Sequence, residues 1–228
     1  MSYQTSKRFH FLCLVLASLP VSLAQAAAPV YFSPTSDGNQ AWPGMLGNDF
    51  AVTNSLVQVS ALGAFTGSTA GFANGTTVKV GLFDVTDLYD DNSGTNSISQ
   101  VIAPITFTGN VGTVISSYAY QNVTPTLLTN GHVYSIQASG FNSNDQNFNT
   151  NIGGATQMFE TLGGALVQKN GRYAGSAGLG VAGTSGSWSF GGGSALVAVV
   201  PEAEIWAMML TGLGIVGVVA RRRKTTRG

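Results

Sequence analysis

No stretch between residues 27 and 200 repeats its apolar residues with the period of a helix. Apolar residues alternate there instead, or gather in short β-branched and aromatic runs, which is the pattern of strands. Leu56 to Leu62 is one such run. Thr77 to Phe83 is another, with Val78, Val80 and Leu82 on one face. Further strands are expected at 105–108, 114–120, 132–138 and 194–199. Clusters of Gly, Asn, Asp, Ser and Pro separate them. Asn74-Gly75, Asn130-Gly131 and Asn170-Gly171 are turn dipeptides, because both residues tolerate positive φ. Many short strands with frequent turns predict an all-β sandwich or barrel. Residues 141–193, rich in Gly, Asn and Ser, are expected to form long loops around a few strands.

The two ends follow different rules. In residues 1–26, Lys7 and Arg8 precede a short apolar run from Phe11 to Ala17, and Ala24-Gln25-Ala26 is a small-x-small site. That is the pattern of a secretory signal peptide, cut between Ala26 and Ala27. Its removal takes Cys13, the sole cysteine, so the mature chain has neither a disulfide nor a thiolate metal site. Such a domain must be held by its hydrophobic core. At the other end, residues 205–220 carry no charge and Arg221, Arg222, Arg223 and Lys224 follow at once. A full span needs about 20 apolar residues, so 205–220 is read as a short transmembrane helix, lengthened by snorkelling arginines. The basic cluster is expected to stay cytoplasmic, leaving 27–200 outside.

These C-terminal residues carry a resemblance. Val200-Pro201-Glu202-Ala203, then Trp206 to Leu210, Gly212-Leu213-Gly214 and the basic cluster at 221–224 resemble the PEP-CTERM sorting signal. That family's pattern is a Pro-Glu-Pro motif, a short hydrophobic helix and a terminal Arg cluster. Ala203 stands where the third motif residue is usually proline. The resemblance implies export in a Gram-negative, exopolysaccharide-making bacterium. It also implies processing near Pro201, Glu202 and Ala203 by an exosortase, a membrane-embedded cysteine protease. It covers residues 201–228 and says nothing of the domain it carries. Within that domain, Val59 to Gly63, Val80-Gly81-Leu82-Phe83-Asp84, Tyr118-Ala119-Tyr120 and Leu128 to Tyr134 resemble an uncharacterised jelly-roll-like domain of bacterial surface proteins. That likeness spans roughly residues 45–140 and implies a jelly-roll-like β-sandwich ectodomain.

Charge excludes one large class of partner. Between 27 and 200 the basic residues are Lys79, Lys169 and Arg172, against Asp37, Asp49, Asp84, Asp87, Asp90, Asp91, Asp145 and Glu160. A mildly acidic surface repels phosphate backbones, so no nucleic-acid partner is expected. Chemistry is sparse. His132 follows a turn with no partner spaced near it in sequence, and reads as a satisfied surface residue. Gly178-Leu-Gly180-Val-Ala-Gly183 matches a dinucleotide pattern but lacks the strand–turn–helix context that gives it meaning. Asp84, Asp87, Asp90 and Asp91 follow a strand and could supply oxygen ligands to Ca²⁺, or could form a solvated turn in which Asp84 caps the strand end. Trp42, Tyr173 and Trp188 lie in Gly/Pro/Ser-rich contexts and are candidates for stacking on sugar rings, or for packing on the core.

The sequence therefore predicts a non-enzymatic, exported β-sandwich protein. No cofactor is expected apart from calcium. Its partners would be signal peptidase, an exosortase, the membrane through the C-terminal helix, and exopolysaccharide. It would be anchored transiently in the inner membrane with its ectodomain outside, then move to the cell surface or the extracellular matrix. The alternative is a carbohydrate-binding module, with calcium assisting. A secreted hydrolase would need a constellation that the sequence does not show.

Overall fold

Alternation first becomes structure in the strand at Val78–Asp84, whose Val78, Val80 and Leu82 all point into one core. The computed structural model describes residues 30–67, 71–73, 75–90, 96–109, 114–176, 178–200, 210 and 213. The expected signal peptide at 1–26, the expected sorting motif at 201–203 and the basic cluster at 221–224 lie outside them. Leu210 and Leu213, within the apolar stretch, are helical. Among the described residues no helix is long and apolar enough to cross a membrane.

The strands are β1 (Phe32–Pro34), β2 (Met45–Val52), β3 (Leu56–Phe65), β4 (Val78–Asp84), β5 (Ser99–Phe107) and β6 (Val114–Ile115). They continue with β7 (Tyr118–Leu128), β8 (Val133–Ser139), β9 (Gln157–Phe159), β10 (Leu166–Ala174), β11 (Thr184–Gly186) and β12 (Gly193–Val200). Two short 3-10 turns, Thr86–Leu88 and Leu162–Gly164, interrupt them. One sheet runs β11-β10-β2-β8-β4-β5, a second runs β12-β3-β7-β6, and β1 pairs with β9. The strand pairs are antiparallel. The result is an all-β arrangement of sheets over a shared core, as the turn-punctuated pattern predicts.

That core lies between the two larger sheets. Leu46, Phe50 and Val52 of β2, Val80 and Leu82 of β4, and Ile136 of β8 meet Val57, Val59 and Leu62 of β3 and Val197 of β12. Fully burying each such side chain is worth about 1.5–3 kcal/mol. The opposite face of the six-stranded sheet is covered as well. There Ala51, Phe83, Val85 and Val133 pack under Leu88, Tyr89, Ile98 and Leu179. Strands β2 and β8 are consequently buried on both faces.

Two local expectations are corrected, and one strand is unforeseen. The strand expected over 114–120 is a hairpin, β6–β7, turning at Ser116 (φ 49°) and Ser117 (φ 70°). Positive φ at both central residues matches the right-handed twist of the flanking strands, here without the usual Asn or Gly. Asn170-Gly171 is not a turn but lies inside β10. The pairing with β2 shifts between Gln168 and Gly171, a bulge that lets Lys169 and Asn170 share one place in the ladder. Finally, β2 itself is a strand that the pattern does not announce. Its centre, Gly47-Asn48-Asp49, is polar; Asn48 is partnered by the Phe190 backbone, and Asp49 through its Oδ2 by Arg172 and Tyr89. Asn130-Gly131 does turn β7 into β8, with Gly131 at φ 84°. The stretch 141–193 holds β9, β10 and β11 between long connections.

Candidate functional site

Four separate segments bring side chains to one groove. Gln40 and Trp42 come from the connection between β1 and β2. Asn149 and Asn151 come from the connection between β8 and β9. Tyr173 lies near the end of β10, and Trp188 and Phe190 lead into β12. The groove encloses about 170 Å³. Tyr173 pairs with Leu46 across the β10–β2 ladder, so it shares the core-facing side of the sheet. Trp42, Tyr173 and Trp188, far apart in sequence, thus become neighbours. The Trp42 and Tyr173 rings lie 6.3 Å apart and nearly perpendicular, and Tyr173 and Trp188 lie 6.0 Å apart. All three are half-buried, resting on the core with one side while lining the groove with the other.

Close backbone approach makes this possible. A methyl group at Gly171 would collide with the Trp188 carbonyl, and one at Gly44 would collide with the Ala174 carbonyl and crowd the Trp42 indole. The loops are knitted to each other rather than loose. Gln40 and Asn147 exchange backbone hydrogen bonds of 3.1 and 2.9 Å, and the Thr150 amide donates to the Ser189 carbonyl at 3.1 Å. Asn147 and Asn149 both donate their side-chain amides to Gln40 Oε1 at 3.1 Å. Asn39 Nδ2 donates to the Asn149 carbonyl at 2.9 Å. The high asparagine content of this region is therefore structural cross-bracing, which holds the groove in one shape.

Some hydrogen-bonding capacity is left over. The Nε2 amide of Gln40, the side chain of Asn151, the Tyr173 hydroxyl and the Trp188 indole N–H have no protein partner among the described residues. Aromatic rings beside uncommitted, uncharged polar groups suit a ligand with one apolar face and a rim of hydroxyls. The sequence singled out the three aromatics. It did not single out Gln40, Asn149, Asn151 or Phe190.

The acidic stretch behaves differently. Asp84 ends β4, and its Oδ1 accepts from the Thr86 amide (2.9 Å) and hydroxyl (2.5 Å). Its Oδ2 lies 2.7 Å from His132 Nδ1. His132 therefore has a partner that sequence spacing hides, because β4 pairs with β8 and sets Asp84 opposite Tyr134. The Thr86 hydroxyl is turned to Asp84 and to β8, not to the imidazole. Asp87 accepts from the Ser97 hydroxyl, and Asp91 lies outside the described residues. Among the described residues no three His, Asp or Glu side chains converge as metal ligands. A second recess, about 250 Å³, is lined by Asp37, Thr66 and Asp145, and there Asp145 accepts from the Ala73 amide.

Burial of the Asp84 carboxyl opposes its charge. The Thr86 hydroxyl, His132 and the Thr86 amide outweigh that cost and hold it below the usual carboxylate range. The native state then binds fewer protons than the unfolded chain in the acid range, so stability rises with pH there. The contribution is present above the unfolded value of about 3.9 and is lost as pH falls through the lower folded value. Tm measured from pH 6 to pH 2 is expected to fall more steeply for the native chain than for Asp84→Asn. Parallel curves would remove Asp84 from the acid response.

No family model and no curated protein matches the chain. The fold and the groove define an all-β protein with an aromatic-lined surface site.

Proposed function

We propose that the chain is an exported, non-enzymatic surface or extracellular-matrix protein whose jelly-roll-like β-domain associates with polysaccharide. The observation that carries the ectodomain part is the meeting of Trp42, Tyr173 and Trp188 in one groove with uncommitted amide and hydroxyl groups. Residues brought together from positions 42, 173 and 188 make a prepared surface, and amphipathic sugar rings are what such a surface accepts.

The sorting part is supported by residues at the two ends. A signal peptide cut between Ala26 and Ala27 would start export. The short helix at 205–220, with Arg221, Arg222, Arg223 and Lys224 behind it, would hold the chain in the inner membrane. An exosortase would then act near Pro201, Glu202 and Ala203. Strand β12 is paired with β3 as far as Val200, the residue before the motif. Deleting the exosortase of the producing cell is expected to leave a heavier form retained in the membrane. Unchanged mass and location in that strain would overturn the sorting route.

A further inference from the structure

We infer that the groove selects a neutral pyranosyl unit and excludes uronic acids, and that it does so without calcium; this rests on the polysaccharide reading above. The first argument is charge. Among the described residues, no Asp, Glu, Lys, Arg or His lines the groove. The nearest cation along β10 is Arg172, and it is spent elsewhere. Its Nε and Nη2 donate to Asp49 Oδ2 at 2.9 and 2.6 Å, and its Nη1 donates to the Ala182 carbonyl at 2.6 Å. Asp49 and Arg172 are buried, and adjacent residues of a strand point to opposite faces. Arg172 therefore points away from the groove that its neighbour Tyr173 lines. A carboxylated sugar entering the groove would leave water and find no counter-charge, which is unfavourable.

The second argument is what the groove does offer. Trp42, Tyr173 and Trp188 line the groove with half-buried aromatic rings, and the C–H face of a pyranose ring packs on aromatic surfaces. Gln40 Nε2, Asn151, the Tyr173 hydroxyl and the Trp188 indole N–H are neutral partners for hydroxyl or acetamido groups. Calcium has no part in this. Of the acidic candidates, Asp84 ends β4 and Asp87 and Asp90 follow it, and none of the three lines the groove. Attraction built from stacking and neutral hydrogen bonds is also insensitive to salt, unlike attraction between charges.

The test is affinity electrophoresis of the full chain in a non-glycosidic detergent, against neutral glucan, mannan and galactan and against polyuronates. Retardation by at least one neutral polymer, unchanged by chelator and by high salt, with none by polyuronates, is the expected result. Preference for polyuronates, or loss of binding with chelator, would overturn the neutral-sugar assignment and leave the polysaccharide reading standing. No retardation by any polymer would remove both. Trp188→Ala is expected to weaken neutral binding about tenfold or more. Asn151→Ala removes an exposed side chain with no partner among the described residues, so its Tm should stay native while its binding weakens severalfold. Native affinity in both variants would move the site out of this groove.

Discussion

Arg172→Ala is expected to cost about 3–5 kcal/mol of stability, the largest effect of any single charged residue in the described domain. The reason is the carboxylate it leaves behind. Asp49 is fully buried in β2, and its Oδ2 accepts from Arg172 Nε, Arg172 Nη2 and, at 2.7 Å, the Tyr89 hydroxyl. Tyr89 stays a donor, because burial and the Asp49 charge both push its ionisation up. Its ring also lies under the guanidinium, 5.9 Å from its carbon. Removing Arg172 leaves one weak neutral donor for a buried charge. At this chain length the loss corresponds to a fall in Tm on the order of 10 °C. Arg172→Lys keeps the charge but cannot supply the two-pronged contact, so it should recover only part of the loss. The double variant Asp49→Leu with Arg172→Met removes both charges and should be more stable than Arg172→Ala. A native Tm for Arg172→Ala would show that the pair is not what holds this face of the sheet.

The second large effect is expected from one methyl group. Gly171→Ala places a Cβ against the Trp188 carbonyl and near the Phe190 ring. The obstruction is backbone, so no side-chain rotation relieves it. Nor can the segment simply retreat. The Phe190 amide donates to Asn48 Oδ1 at 2.9 Å, and Asn48 Nδ2 donates back to the Phe190 carbonyl at 2.6 Å. Either those bonds break or β10 shifts, at about 1–3 kcal/mol. Both outcomes displace Trp188, so polysaccharide binding should fall by more than tenfold as well. Gly175→Ala, where a methyl meets nothing within 4 Å, is the control and should match the native chain in Tm and binding. If Gly171→Ala bound as well as that control, the groove would not depend on the close approach of these two segments.

Part of this architecture is legible in the residues. The alternation of Val78, Val80 and Leu82 survives directly as the inner face of β4, and the Asn130-Gly131 turn joins β7 to β8. Strand β2 is hidden because Gly47, Asn48 and Asp49 break its apolar pattern. Their reasons for being there sit far along the chain, at Arg172 and Phe190, and tertiary partners override local preference. Asn170-Gly171 shows the same thing in reverse. The dipeptide can turn, but pairing to β2 and β11 keeps it extended with a bulge. The Ser116-Ser117 turn carries no Gly or Asn to mark it.

The candidate site divides along similar lines. Trp42, Tyr173 and Trp188 stand out because large aromatics are rare in Gly-, Pro- and Ser-rich segments. Gln40, Asn149 and Asn151 do not, because amides are common throughout 141–193 and only the fold distinguishes the bracing ones from those that face the groove. His132 and Asp84 lie 48 positions apart and meet solely through the β4–β8 pairing.

The most direct measurement is sedimentation of the full chain with the producing cell's own exopolysaccharide, comparing the native protein with Trp188→Ala. Saturable co-sedimentation of the native chain, unchanged by calcium chelation and weakened about tenfold in the variant, is the predicted result. Failure of the native chain to sediment with the polymer would contradict the account and leave the aromatic groove without its assigned ligand.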